Sequence, residues 1–493
     1  MRYPGRKRKP GIDPAEIGYR ILLAAVLVFL LYYIFKASVD VVWSDYIRLI
    51  DSYLPDVTNI RKFLVPDVLT RIPAAYLGRI INVRAFRYSV MFDRVLTVTG
   101  IGLMGYALVQ FSLRQRLKFP FFLLMMIVLA SLNKWEVLLN GTAWPHAMAI
   151  GLFFVNYLIF DRIWTGESGA THELAACVFP FLMLFIAGDY IAGYAVTMIL
   201  VSLYGAATGG AADFDTGHQQ NVFIRVTLST VAALLLYLLS RHFAVYEHAG
   251  ATDMSIFDLL KTAPSFFPRF FLKSLAGDVW DAEMIAAHSI SDEALFATGA
   301  LVFLMYIICF IVYFALGLNE KSIFPLLLLV SGFANHGIVM AGRWIFLNEN
   351  YGISSRYGIQ FSIGIFGMIA VMALYKAPKS NYRERKLAKM RNLGRAVVYF
   401  GLALICAGTI FTGVSEWNKA QYRKENYRHM AEMILDYENQ DTEELKSALE
   451  WHKDEETMLN ALKTIKDNKL NVFRPSLNTG GTIDGFFSKT ETP

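Results

Sequence analysis

Charge is scarce in this chain: Asp, Glu, Lys and Arg together make up only 18% of its 493 residues. A soluble domain has no use for so few charges, or for the uninterrupted apolar runs between them. Cysteine is nearly absent. The three present, Cys177, Cys309 and Cys406, all fall inside apolar runs and leave no disulfide framework. The sequence also lacks a Walker loop, a Gly-rich dinucleotide fingerprint, a His-Glu-x-x-His zinc motif and a nucleophile elbow. These absences exclude the common ways of holding a cytosolic nucleotide, so an energised substrate has to arrive with the membrane. There is no internal repeat, low-complexity tract or Pro-rich linker, and nothing points to nucleic acid as a partner.

What fills the chain instead is apolar helix. Hydrophobic residues make up 55%, with 37 Phe and 25 Tyr, and the mean hydropathy is +0.39. Runs long enough to cross a hydrocarbon core lie near 19–36, 95–113, 119–134, 144–163, 173–188, 190–208, 222–240, 294–317, 322–340, 357–375 and 396–414. These eleven predict an all-α integral membrane bundle over 1–414, followed by a small helical tail over 415–493. The first run lacks a small-residue cleavage site and reads as an uncleaved anchor. Arg2, Arg6, Lys7, Arg8 and Lys9 precede it, and Arg114, Arg116, Lys118 and the basic linker from Lys376 to Arg395 fall on the same side. The excess of basic residues puts the N-terminus and these loops in the cytoplasm. An odd number of spans then sends the tail outside, with the short loops 135–143 and 341–356 and two large ones, 37–94 and 241–293. In the tail, Asp441 and Glu444 have the spacing of a capping box, and Met458, Leu459, Leu462 and Ile465 recur at helical spacing.

Ionisable residues beside a bundle are costly, so each invites a function. Asp45, in Val-Trp-Ser-Asp45-Tyr, lies just beyond the first run between Trp43 and Tyr46, which would anchor it at interface depth. A partly desolvated carboxylate there can take a hydroxyl proton. Asp40 is the alternate base, although Asp40 and Asp51 also fit solvated positions. Loop 37–94 is rich in Arg, which suits both an amphipathic helix on anionic head groups and a phosphate-binding surface. Arg356 and Tyr357, with Arg343 and His336 nearby, suit a bound phosphate. The plainer alternatives are a snorkelling arginine, a belt tyrosine and a core histidine. Lys134, Trp135 and Glu136 in one short turn, and Arg269 and Lys273 in loop 241–293, are further candidate substrate contacts, though Trp135 and Glu136 also read as a belt residue and a surface ion pair. His248 and His288 match no ligand spacing, so no metal cofactor is expected.

The Asp beyond the first span, the long first outer loop and Ser-Arg356-Tyr357 at the outer start of a late span resemble bacterial GT-C-type membrane glycosyltransferases. The tail stretch from Leu459 to Leu-Asn-Val-Phe473 is similar as well, so the resemblance covers the whole chain as topology. It implies a GT-C-like bundle in the bacterial inner membrane, taking a sugar from a polyprenyl-phosphate donor. The acceptor would be a cell-envelope glycan or a lipid-linked acceptor among the membrane lipids. It implies further that Asp45 is the base of an inverting displacement and that Arg356 holds the donor phosphate, with Tyr357. The chain departs from the commoner pattern in having a single Asp rather than an adjacent acidic pair. An O-antigen ligase or polymerase, and a transporter or flippase for a lipid-linked sugar, are the rival readings.

Overall fold

The structure, a computed structural model, describes residues 14–64, 73–211, 216–242, 250–375 and 385–475. Helix α1 (Pro14–Ala37) leads into a long connection holding α2 (Asp45–Tyr53) and α3 (Pro73–Phe86). Next come α4 (Val90–Gln115), α5 (Phe119–Ala130), the short α6 (Trp135–Leu139) and α7 (Trp144–Trp164). After α8 (Ala170–Ala187), α9 (Ile191–Thr208) and α10 (Thr216–His242), a second long connection holds α11 (Ile256–Thr262), α12 (Phe266–Ala276) and α13 (Ala282–His288). The chain ends with α14 (Asp292–Ala315), α15 (Phe324–Arg343), α16 (Gly358–Leu374), α17 (Arg385–Leu435), α18 (Thr442–Ala448) and α19 (Glu455–Asp467). No strand occurs among the described residues.

Among the described residues nine helices, α1, α4, α7, α9, α10 and α14 to α17, are long and apolar enough to cross a membrane. The remaining two expected spans coincide with shorter apolar helices. The 12 residues of α5 rise only about 18 Å, well short of a hydrocarbon core about 30 Å thick. It stops at Ala130 rather than at 134 because Lys134 folds back and donates to the carbonyls of Leu129 and Ser131, at 2.9 and 2.6 Å. Pro180 interrupts α8, where a missing N–H loosens the helix. The tail boundary expected at 414 falls inside α17, a single helix of 51 residues. Beyond Gly413 this helix meets no glycine or proline, and pairs such as Gln421 with Glu425 support it in water.

Close packing comes from small residues. A Cβ on Gly100 of α4 would collide with the backbone of Ala147 in α7, so the two helices touch main chain to main chain. The α4–α5, α7–α8 and α14–α15 connections gather at one end of the bundle. There Asp161 of α7, with a side chain 0% exposed, accepts from Arg114 Nη1 (2.6 Å), Ser322 Oγ (2.8 Å) and the N–H groups of Ile323 (2.7 Å) and Phe324 (3.2 Å). It thereby satisfies the open N-terminus of α15. The long connections and the tail gather at the other, loop-bearing end. The N-cap half of the expected capping box is present: Asp441 accepts from Glu444 N–H at 3.0 Å and starts α18. Met458, Leu462 and Ile465 of α19 are fully buried against the first long connection.

Candidate functional site

Asp45 opens α2. Ser44 before it has φ 51°, the left-handed region that glycine adopts readily, and its N–H donates to Leu449 O of the tail at 2.8 Å. Strain of this kind persists only where the surroundings impose it. Trp43 and Tyr46, expected as interface anchors, are core residues instead. Trp43 packs edge-on against Tyr427, and Tyr46 donates to Asp93 at 2.7 Å. With both neighbours locked, Asp45 remains 46% exposed, with Arg48 Nη2 at 3.8 Å.

Arg356 stands across from it. Its Nε and Nη2 meet Glu136 Oε1 at 2.7 and 2.5 Å, and its side chain is 44% exposed. Ser355 and Ser354 donate to the other oxygen of Glu136, at 3.2 and 3.4 Å. Asp45 lies within electrostatic reach of the same guanidinium. The tail adds Glu450, directly after Leu449 and itself at φ 52°, where it closes the C-terminus of α18 in the conformation usually left to glycine. Partial burial and the charge of Glu136 push the Glu450 carboxyl above its ordinary range, against the pull of Arg356. Four segments distant in sequence therefore meet: the first connection, the α5–α7 turn, the α15–α16 loop and the tail. Glu450 carries no motif, and only the chain path brings it here.

Asp40 has a different task. Its carboxylate accepts from Val90 N–H (2.6 Å), Ser89 Oγ (2.7 Å), Arg474 Nη1 (2.7 Å) and Asn471 Nδ2 (3.4 Å). It ties the start of α4 to the end of the tail, and its acceptor capacity is used up. Arg269 and Lys273 are likewise committed: both pair with Glu349 and Asp292, and Lys273 also donates to Asn350 at 3.0 Å. Tyr357 is buried in an aromatic cluster with Phe266, Phe270 and Phe361, and Arg343 lies over its ring at 5.8 Å. His336 is fully buried, stacked on Phe361 at 4.0 Å and 3.1 Å from Ser274 Oγ, as a core histidine would be. Trp135 lies beneath the guanidinium of Arg423 at 3.6 Å. Arg423 is itself held by Glu283 and Glu416.

Of the sequence candidates, the structure thus brings together Asp45, Glu136 and Arg356, with Tyr357 and Arg343 behind them. His336, Arg269 and Lys273 lie apart from that group. The arginines of the first connection divide. Arg94 is fully buried and donates to Leu139 O and Val39 O, both at 2.8 Å. Arg79 stacks on Tyr53 at 4.3 Å, while Leu77, Ile81 and Phe86 of α3 are exposed, as in an interfacial helix. Arg71, His248 and the N-terminal basic cluster lie outside the described residues. His288 packs near Phe411, and no group of three or more potential metal ligands forms among the described residues. Comparison with protein-family models, curated proteins and solved structures found no match.

Proposed function

We propose that this chain is a polytopic membrane glycosyltransferase of GT-C type. It moves a sugar from a polyprenyl-phosphate donor to a cell-envelope glycan or lipid-linked acceptor at the loop-bearing end of the bundle. The observation that carries this reading is the juxtaposition of a half-exposed, unsaturated carboxylate, Asp45, with a half-exposed guanidinium, Arg356, beside an apolar bundle. Asp45 takes the acceptor hydroxyl proton as that oxygen bonds to the anomeric carbon. The bond from that carbon to the phosphate oxygen breaks, and the lipid phosphate leaves with the electron pair, inverting the centre. Arg356 neutralises the departing phosphate, the kind of prepositioned charge that contributes several kcal/mol to transfer chemistry. Glu136 and the two serines hold the guanidinium in place until the phosphate shares it. The reading includes two further crossings, one made by α5 together with the turn that follows it and one by α8, and with them a bacterial inner-membrane location, a cytoplasmic N-terminus and an outward tail.

The experiment is lipid and glycan profiling of a deletion strain complemented with wild type or Arg356→Ala. The expected result is accumulation of a polyprenyl-phosphate-linked sugar and loss of one glycan substituent in the deletion and the variant alike. Unchanged lipid and glycan profiles in the deletion strain would overturn the reading.

A further inference from the structure

Four buried side-chain atoms have no hydrogen-bond partner among the described residues and belong to neighbouring side chains: Asp278 Oδ1 and Oδ2, His336 Nε2 and Tyr306 Oη. Buried polar atoms are nearly always paired, and leaving a carboxylate unpaired costs far more than leaving a hydroxyl. Asp278 sits in the turn between α12 and α13, its side chain 0% exposed and its Oδ2 3.7 Å from His336 Nε2. That separation is too long for a hydrogen bond and short enough for strong attraction. On its other side, Asp278 lines a small cavity of about 20 Å³ shared with Lys134, Ser131, Asn133, Ser362 and Thr409. The space holds one water-sized molecule. Lys134 spends two of its N–H donors on carbonyls of the α5 terminus, and an ammonium has three.

The proton count at His336 follows from its neighbours. Ser274 has a single hydroxyl hydrogen and donates it to Phe271 O at 2.8 Å. Nδ1 of His336 lies 3.1 Å from the same Oγ and donates to it in the tautomer that carries the ring hydrogen there. A neutral ring with its hydrogen on Nδ1 would turn the Nε2 lone pair onto the Asp278 carboxylate, two acceptors facing each other. One more proton removes the conflict, on either partner.

We propose that Asp278 and His336 form an internal proton-binding site, one proton held between carboxylate and imidazole, opening through Asp278 onto the cavity and Lys134. The groups facing it are Tyr306 from α14, His336 from α15 and Lys134 from the α5–α6 turn. Asp281, three residues on, is turned away to cap α13. From α16 and α17 come Phe361, Ser362 and Thr409, none of them ionisable. Burial pushes the Asp278 carboxyl up and the Lys134 ammonium down to about 7, so both groups shift toward neutral pH. The cavity also backs directly onto the outer cluster. Lys134 is two residues from Glu136 and Gly358 two from Arg356, and a Cβ on Gly358 would meet Asn133 O at 2.5 Å. The same two segments therefore line the proton site on one face and carry the Glu136–Arg356 pair on the other.

The test is pH-difference infrared spectroscopy on the full chain in lipid nanodiscs, with isotope-labelled aspartate. The expected result is a titrating carboxyl signal from an aspartate in dry surroundings, absent in Asp278→Asn. In His336→Gln that signal moves to higher pH by about one unit or more, because the imidazole that favours the carboxylate is gone. A spectrum unchanged by Asp278→Asn, or a midpoint unmoved by His336→Gln, overturns the proposal. Should Asp278→Asn not accumulate as folded protein, Ser274→Ala removes the oxygen that receives the Nδ1 hydrogen. It is expected to shift the midpoint, and an unmoved midpoint there overturns the proposal equally.

Discussion

Two aspartates buried at opposite ends of the bundle meet opposite treatment. Asp161, among the short connections, receives a guanidinium, a hydroxyl and two backbone N–H groups within 3.2 Å. Asp278, beneath the long connections, receives no hydrogen bond from the described residues and faces a histidine at 3.7 Å and a cavity. The residue type and burial are the same, so the difference lies in what the fold supplies around them. A saturated carboxylate is a joint between helices, whereas an unsaturated one keeps its capacity for a proton or ligand. The same contrast recurs within the first connection, where Asp40 is saturated and Asp45 is open.

The largest effect is expected at the saturated end. Asp161→Ala strips Arg114 of its buried partner and reopens the N-terminus of α15. Breaking a buried pair from one side costs about 3–5 kcal/mol. Thermal unfolding in detergent should show that loss, with little protein recovered in the folded form. A variant as stable as wild type would remove the distinction between the two ends. Asp40→Ala comes next, with a cost of about 1–3 kcal/mol for donors left unpaired in a partly open site. Its signature is local: the tail should detach from α4 and become sensitive to protease between α17 and Arg474 while the bundle stays intact.

Much of this frame is legible in the sequence. Uninterrupted apolar runs mark all nine long helices and both short ones, because hydropathy over some twenty residues survives any tertiary detail. The N-cap at Asp441 is equally local and is found where expected. What cannot be read is which carboxylate meets which donor. Asp40 and Asp45 have similar neighbours in sequence, and their roles part only because Val90, Asn471 and Arg474 converge on one of them. Glu450 and the Asp278–His336 pair are hidden for the same reason, since each depends on segments far apart in the chain. The length of α17 is hidden differently: its second half is polar and looks like a tail, yet nothing in it breaks a helix.

A smaller effect, visible as a slope, is expected at Asp278. Burial raises its carboxyl in the folded chain, so between the ordinary Asp value and the folded value the folded state binds more protons than the unfolded one. Stability from this group is therefore complete below the ordinary value and lost as pH rises through the folded one. Asp278→Asn should flatten that decline, seen as unfolding midpoints that converge or cross as pH rises from acid toward neutral. The comparison belongs below about pH 7, because Lys134 gives the opposite slope from about 7 upward. Parallel curves would mean that Asp278 finds partners in the folded chain after all, as Asp161 does.

The smallest effect on stability is expected at Asp45, and it sharpens the contrast most. Asp45 touches one cation at 3.8 Å and is half exposed, and exposed pairs of this kind contribute about 0–1 kcal/mol. Asp45→Asn keeps the shape and the α2 start, so the unfolding midpoint should stay within error of wild type. Sugar transfer, assayed in membranes with the donor lipid, should fall by orders of magnitude because the amide cannot take a proton. Asp40→Asn gives the complementary outcome, a less stable chain that retains a measurable rate at low temperature. Equal losses of stability in the two variants would make Asp45 a structural residue like its neighbour. Full activity in Asp45→Asn would move the base to another carboxylate near Arg356, where Glu450 is next in line because its carboxyl is raised and the tail holds it in place.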